Sequence, residues 1–319
     1  MRSVAAPLRQ KVNKKALSGI SPVRQSAAMA AQGRQPSEST VKGVQVIGLC
    51  RFSVPSSGAF QTEHETIEER RAFLYDPRRL DQRFAWFEHV NLPGIEAQKD
   101  PAFTYILLLG EDLPEPWRAR MEAHAARIPQ MVIEYAPPIH HRQACADAMA
   151  KHIDPDAEAV IQFRQDDDDG VAVDFVQRLR RDFRKTRGVF KDRGLMALDY
   201  NRGINLHEKT GTLTPVPLYH SFLGAGFAVC TRPGDGNYVL DFYHHVIWQQ
   251  MAAVTFPSAF MWVRGAHDGN DSGKVSENWK IKKDPAELRQ ILRKRFRIDL
   301  PAFKAALRVL DGSGKDVAE

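Results

Sequence analysis

Cysteine is scarce and long apolar runs are missing, and each shortage narrows the field. Three cysteines in 319 residues, Cys50, Cys145 and Cys230, are odd in number and far apart. Neither a disulfide framework nor a zinc knuckle follows, and a reducing, cytoplasmic setting fits best. No segment approaches the ~18 consecutive apolar residues of a membrane span, and nothing near Met1 has the apolar centre of a signal peptide. There is no Gly-rich phosphate fingerprint, Walker motif, nucleophile elbow or HExxH. Residues 1–42 contain no aromatic side chain and a single acid, Glu38, against 8 Lys and Arg. Such a segment cannot bury enough surface to offset its ordering entropy, so a disordered basic arm is expected there. The rest has what a core needs: hydrophobic residues are 43% of the chain, with 17 Phe, 7 Tyr and 5 Trp.

The net charge of +6 is unevenly placed. Residues 43–279 hold 26 basic and 32 acidic residues, whereas residues 280–308 hold 10 basic and 3 acidic. The basicity belongs to the two ends. A mildly acidic body argues against a nucleic-acid binder, whose footprint is a basic face on the fold itself. The expected division is therefore a basic arm over 1–42, a folded domain over 43–279, and a basic helical segment over 280–319 packed on that domain.

Apolar runs and helical stripes alternate from Val44 onward. Val44–Cys50, Phe103–Leu109, Met131–Tyr135 and Ala159–Phe163 read as strands buried on both faces. Between and after them, Leu80, Phe84, Phe87 and Ile95, then Trp117, Met121, Ala125 and Ile128, then residues 141–152, then Ala172, Phe175, Val176, Leu179 and Phe183, fall at helical spacing. This rhythm predicts an α/β fold with a mostly parallel sheet and helices on both faces. Beyond residue 190 it loosens: strands are expected over 195–200, 218–231 and 259–263, and a helix over 239–251. Two terminal helical stripes follow, the second capped by Asp299 with Pro301 in its first turn.

The densest chemical signal is Asp166-Asp167-Asp168-Asp169, directly after a buried strand. Ligands of open α/β sheets sit beyond the carboxyl ends of the strands. Four adjacent carboxylates repel one another unless a cation is present, and oxygen ligands at this spacing suit Mg²⁺ or Mn²⁺ shared with substrate phosphates. One or two of the four are expected on the metal and another as cap of a helix starting near Val171. Weaker candidates are His244 and His245, placed in a helix and diverging by about 100°; the helix-opening His140-His141-Arg142, where phosphate could bind; Arg51 at the end of the first strand; and the loop after the last strand, where His267 and Asp271 could complete a metal site.

Val46-Ile-Gly-Leu-Cys-Arg-Phe-Ser53, Glu65-Thr-Ile-Glu-Glu-Arg-Arg-Ala-Phe-Leu-Tyr75, Gln162-Phe-Arg-Gln-Asp-Asp-Asp-Asp169 and Asn270-Asp-Ser272 together resemble the bacterial rhamnosyltransferase family, from about Val44 to about Ser272. That family is similar to the GT-A glycosyltransferases, whose Asp-x-Asp motif holds a divalent metal against a nucleotide-diphosphate sugar. The resemblance implies a GT-A-like fold, Asp166 and Asp168 as metal ligands (with Asp167 and Asp169 an equally valid register), and Arg51, Phe52, Asp167 and Asn270 near the donor. Asp271, His245 and Asp241 are its candidates for taking the acceptor hydroxyl's proton. The implied activity is transfer of a sugar, rhamnose by the family's name, to a saccharide or lipid-linked acceptor. A phosphoryl-transfer enzyme or hydrolase using the same aspartates, and a non-catalytic nucleotide-sugar binder, are the competing readings. The basic ends lie outside the resemblance. The stretch over 280–297 carries no aromatic anchor of its own, so any attraction to an anionic membrane would be reversible and salt-sensitive.

Overall fold

The computed structural model describes residues 43–58, 64–257, 259–268 and 276–310. In chain order its strands are β1 (Val44–Phe52), β2 (Thr104–Gly110), β3 (Met131–Ala136), β4 (Ala159–Asp166), β5 (Gly170–Val171), β6 (Leu195–Asp199), β7 (Arg202–Lys209), β8 (Thr212–Tyr219), β9 (Phe227–Thr231), β10 (Ala252–Thr255) and β11 (Trp262–Ala266). Seven form one sheet in the order β10-β6-β9-β4-β1-β2-β3. Within it β3, β2, β1 and β4 run parallel, β10 is parallel to β6, and β9 alone is antiparallel to both its neighbours. The mostly parallel α/β architecture expected from the sequence is present, and it agrees with a GT-A-like fold.

Burial along β1 explains its composition. Val46, Cys50 and Phe52 enter one apolar core while Ile47 and Leu49 enter the other. Period-two alternation therefore feeds two cores, which demands an apolar residue at nearly every position. The helices are α1 (Ile67–Leu74), α2 (Pro77–Trp86), α3 (Leu92–Glu96), α4 (Trp117–Arg127), α5 (His141–Ala150), α6 (Phe175–Arg193), α7 (Pro285–Ile291) and α8 (Leu300–Leu310). Residues of α2, α4, α6, α7 and α8 line the first core, and α5 lines the second. None of the described helices is long and apolar enough to cross a membrane.

A second, smaller sheet has the order β5-β11-β7-β8. The β7–β8 hairpin turns through Thr210 (φ 49°) and Gly211 (φ 73°), two successive left-handed residues as a tight hairpin requires. β5 corrects one expectation. Gly170-Val171 does not start a helix but pairs with β11, and α6 begins at Phe175 after Asp174. A Cβ on Gly170 would lie 2.6 Å from the carbonyl oxygen of Val90, so only glycine lets the strand pass here. The helix expected over 239–251 is replaced by two short 3-10 segments, Val239–Asp241 and His244–Gln249. The carboxylate of Asp241 turns back to accept from the Tyr238 amide, and Phe242 is extended. Asp299 accepts from the Ala302 amide at 3.1 Å, as expected of the cap of α8.

Candidate functional site

β1 and β4 end side by side, with Arg51 in register with Asp166. The chain then turns tightly, the Asp169 amide donating to the Asp166 carbonyl at 3.0 Å. A buried network fixes this corner from below. The Asn91 amide donates to the Asp166 carbonyl, the Tyr105 hydroxyl reaches Asn91 and Gln165, and the Gln165 amide donates to the Asp169 carbonyl. The backbone of the aspartate turn is thus anchored by neutral polar groups, which leaves its side chains free to differ in role.

They do differ. Asp167 is fully buried and forms a two-pronged ion pair with Arg83 of α2. Asp168 is buried with one carboxylate oxygen 3.1 Å from His267 Nε2 and 3.7 Å from Arg83. Burial by itself would raise the Asp168 pKa, but the charge of Arg83, the hydrogen bond and charge of His267 and the charge of Arg264 outweigh it and hold it at about 2. Asp169 is pushed the other way, well above the ordinary carboxylate range, by burial and by the charges of Asp168 and Asp166. Asp166 alone is only partly buried, and among the described residues its carboxylate has neither hydrogen bond nor ion pair. None of the four caps a helix, which corrects that expectation: α6 starts too far downstream.

His267 follows β11 and is fixed by stacking on Trp86, ring centroids 4.7 Å apart. Trp86 in turn meets Phe303 of α8 edge-on at 4.8 Å. The imidazole plane is therefore set by packing and its Nε2 edge faces the aspartates. Among the described residues no three His, Cys, Asp or Glu side chains converge into a complete metal cage. The donor set nonetheless fits a divalent ion that takes its remaining ligands from a substrate. It offers an imidazole against one carboxylate, a second carboxylate without partner, and like charges that a cation would relieve.

The flank beyond β1 and β4 is cationic. Arg51 and Arg164 are both partly exposed. Burial first, then the Arg51 charge, lowers His141 at the start of α5 to about 4. His244 also falls to about 4 through burial and the Arg164 charge, and its Nδ1 bonds the Phe222 carbonyl. Both rings are neutral at pH 7.

Several expected site residues sit elsewhere. Phe52 is a core residue, its ring 4.7 Å from Phe84 and 5.9 Å from Phe87, and has no surface to offer a nucleotide. Asp167 is likewise closed off by Arg83, which corrects its expected place beside the donor. His245 is exposed, its ring near Tyr243 and His244. Asp241 is half-buried with its carboxylate on the Tyr238 amide. Asn270 and Asp271 lie outside the described residues. Arg83 was missed, although its signal is present: it stands between Leu80 and Phe84 within the buried stripe of α2, where a charge needs a buried partner.

No curated protein sequence matches the chain. Among solved structures, S. aureus TarS 1-349 aligns at 7% identity with a TM-score of 0.36, covering 69% of this chain and 60% of that one. The same fragment in complex with UDP-GlcNAc aligns at 10% identity and a TM-score of 0.37, covering 84% of this chain and 71% of that one. The family described as "Putative rhamnosyl transferase" matches over residues 45–278, from β1 to beyond β11. The chain belongs to that glycosyltransferase family.

Proposed function

We propose that the chain moves a sugar from a nucleotide-diphosphate donor to a saccharide or lipid-linked acceptor, with Mn²⁺ or Mg²⁺ at the aspartate turn. The family's name points to rhamnose. One observation carries the reading: the Asp168 carboxylate meets the His267 imidazole at 3.1 Å, close in the chain to Asp166, whose carboxylate has no partner among the described residues, at the carboxyl end of β4. Asp166, Asp168 and His267 would hold the ion, whose chemistry is to neutralise the charge that develops on the departing diphosphate. The residues of the chain do the rest. Arg83 holds Asp167 in place and its charge helps keep Asp168 ionised, and Trp86 sets the imidazole plane. Arg51, in register with Asp166, and Asn270 are the residues proposed to bind the donor. Asp271 and His245 are the groups proposed to take the acceptor hydroxyl's proton, with Asp241 after them.

Thermal shift with a panel of nucleotide sugars, with and without Mn²⁺, tests donor and metal together; a ligand at 100 times its Kd stabilises by roughly 2.7 kcal/mol. Asp166→Asn, Asp168→Asn and His267→Gln should each abolish the metal-dependent part of the shift. A shift that survives in all three variants refutes the assignment. Donor consumed by water alone would mean a hydrolase, and binding without turnover a binding module. Asp271→Asn should lower kcat on the order of 10²–10⁴-fold with donor affinity unchanged.

A further inference from the structure

We propose that the face formed by α7 and the turn after it docks on an anionic lipid surface. Its apolar and basic residues differ in burial. Leu288, Leu292 and Phe296 are buried in the core, while Arg289, Arg293, Lys294 and Arg297 are exposed. Arg289 lies in α7, Arg293 and Lys294 in the wider π-helical turn over Leu292–Phe296 that continues it, and Arg297 at the left-handed residue (φ 60°) that ends that turn. The acids of the segment are already engaged. Asp284 caps α7 through the Ala286 and Glu287 amides, Asp299 caps α8, and Glu287 pairs with Lys283. Lys282, Arg289, Arg293, Lys294 and Arg297 have no acid within ion-pair distance among the described residues. Five cations without an acid partner among the described residues, within a sixteen-residue stretch of a chain whose body is acidic, are a charge-complementary seat for anionic headgroups.

Two further observations favour lipid over nucleic acid. Trp279, just before the segment, is 74% exposed, and such a ring suits the headgroup level of a bilayer. Val309 and Leu310 at the end of α8 are 73% and 42% exposed. Trp279 would supply an aromatic anchor, since Phe296 within the segment is buried. The face is also rigid. Arg295 bonds Asp174 at 2.8 Å and the Phe260 carbonyl at 3.0 Å, and its own carbonyl accepts from the Val173 amide.

The test is cosedimentation of the full chain with phosphatidylcholine vesicles, with and without phosphatidylglycerol, at about 0.05 and about 0.5 M salt. Each basic residue near an anionic surface raises partitioning about fivefold. The triple variant Arg289→Glu, Arg293→Glu, Lys294→Glu should therefore lose on the order of 100-fold in partitioning at low salt. All three side chains are exposed, so its melting temperature should match the native protein. Trp279→Ala should weaken binding further without changing the salt dependence. No pelleting of the native chain at low salt overturns the proposal. So does pelleting unchanged in the triple variant, which would assign it to residues 1–42, and so does release by short duplex DNA at matched charge. Donor and acceptor are absent from the assay, so its outcome is independent of the glycosyltransferase reading.

Discussion

Arg83 is the most informative residue to remove. Its side chain is 11% exposed, and the Asp167 side chain it clasps is 1% exposed. Replacing Arg83 by Met keeps much of the stem volume but leaves Asp167 and Asp168 buried without their main cation. Removing one partner of a buried pair costs about 3–5 kcal/mol, because the surviving charge is uncompensated. At about 2 °C per kcal/mol for a chain of this size, the melting temperature should fall by about 6–10 °C at pH 7–8. The pH dependence gives a sharper signature. In the native protein Asp168 is lowered to about 2, so its contribution is present above the unfolded value and is lost only as pH falls through about 4 towards 2. In Arg83→Met the largest opposing influence is gone and burial dominates, so the folded pKa of Asp168 rises above the unfolded value. The variant should then lose stability as pH rises, and its deficit against the native protein should widen from pH 5 to pH 8. Differential scanning fluorimetry across that range reads both effects. Arg83→Lys should fall between the two, since an ammonium cannot make the paired contact. A melting temperature within about 1 °C of native at both pH values would refute the account of a buried clamp.

Asp199, at the end of β6, is buried and accepts from the Phe222 amide and the Thr255 hydroxyl; burial outweighs both bonds and raises its pKa to about 7. A raised acid binds its proton more tightly in the folded state, so native stability should decline as pH rises from about 4 through 7 and then level off; Asp199→Asn should flatten that slope and melt higher than native at pH 8, and an unchanged slope would contradict it. At Gly226 an added Cβ would lie 2.1 Å from Trp262 and 2.7 Å from the Tyr200 carbonyl. Gly226→Ala should accordingly cost about 1–3 kcal/mol in denaturant titration, as overpacking does.

The sheet was legible because a parallel strand covered on both faces must be apolar at nearly every position, as the runs Val46–Cys50 of β1, Tyr105–Leu109 of β2 and Ala159–Ile161 of β4 are. The helices of the first core were legible for the complementary reason, that each shows one apolar face. What escaped lies where pattern carries little information. β5 is two residues long and owes its existence to Gly170 passing Val90. Residues 239–249 have buried apolar side chains at positions that helix and 3-10 turns satisfy equally, and the local bond between Asp241 and Tyr238 decides between them. Phe52 was misplaced because the last residue of a strand can face cleft or core, and its parity along β1 puts it with Val46 and Cys50 in the core.

The aspartate run shows why spacing cannot assign roles within a motif of identical residues. In sequence the four carboxylates are equivalent, and two registers of an alternating pair are available. The fold breaks the equivalence through partners that lie far along the chain. Arg83, 84 residues before Asp167, neutralises that residue, and His267, 99 residues after Asp168, meets that one. Among the described residues nothing comparable reaches Asp166, which lies at the strand end in register with Arg51. The two outcomes are coupled by charge: with Asp167 held by Arg83, the remaining negative charge concentrates on Asp166, Asp168 and Asp169, and burial drives Asp169 towards its protonated form. A cation arriving at the turn would therefore meet an ionised Asp168 with the imidazole of His267 beside it, and the partly exposed carboxylate of Asp166. The proposed Asp166/Asp168 register rests on this difference, since Asp167 is closed off by Arg83 and Asp169 is driven towards its neutral form. Arg83, a helix residue outside the motif, is thus the group that sets Asp167 apart from its neighbours.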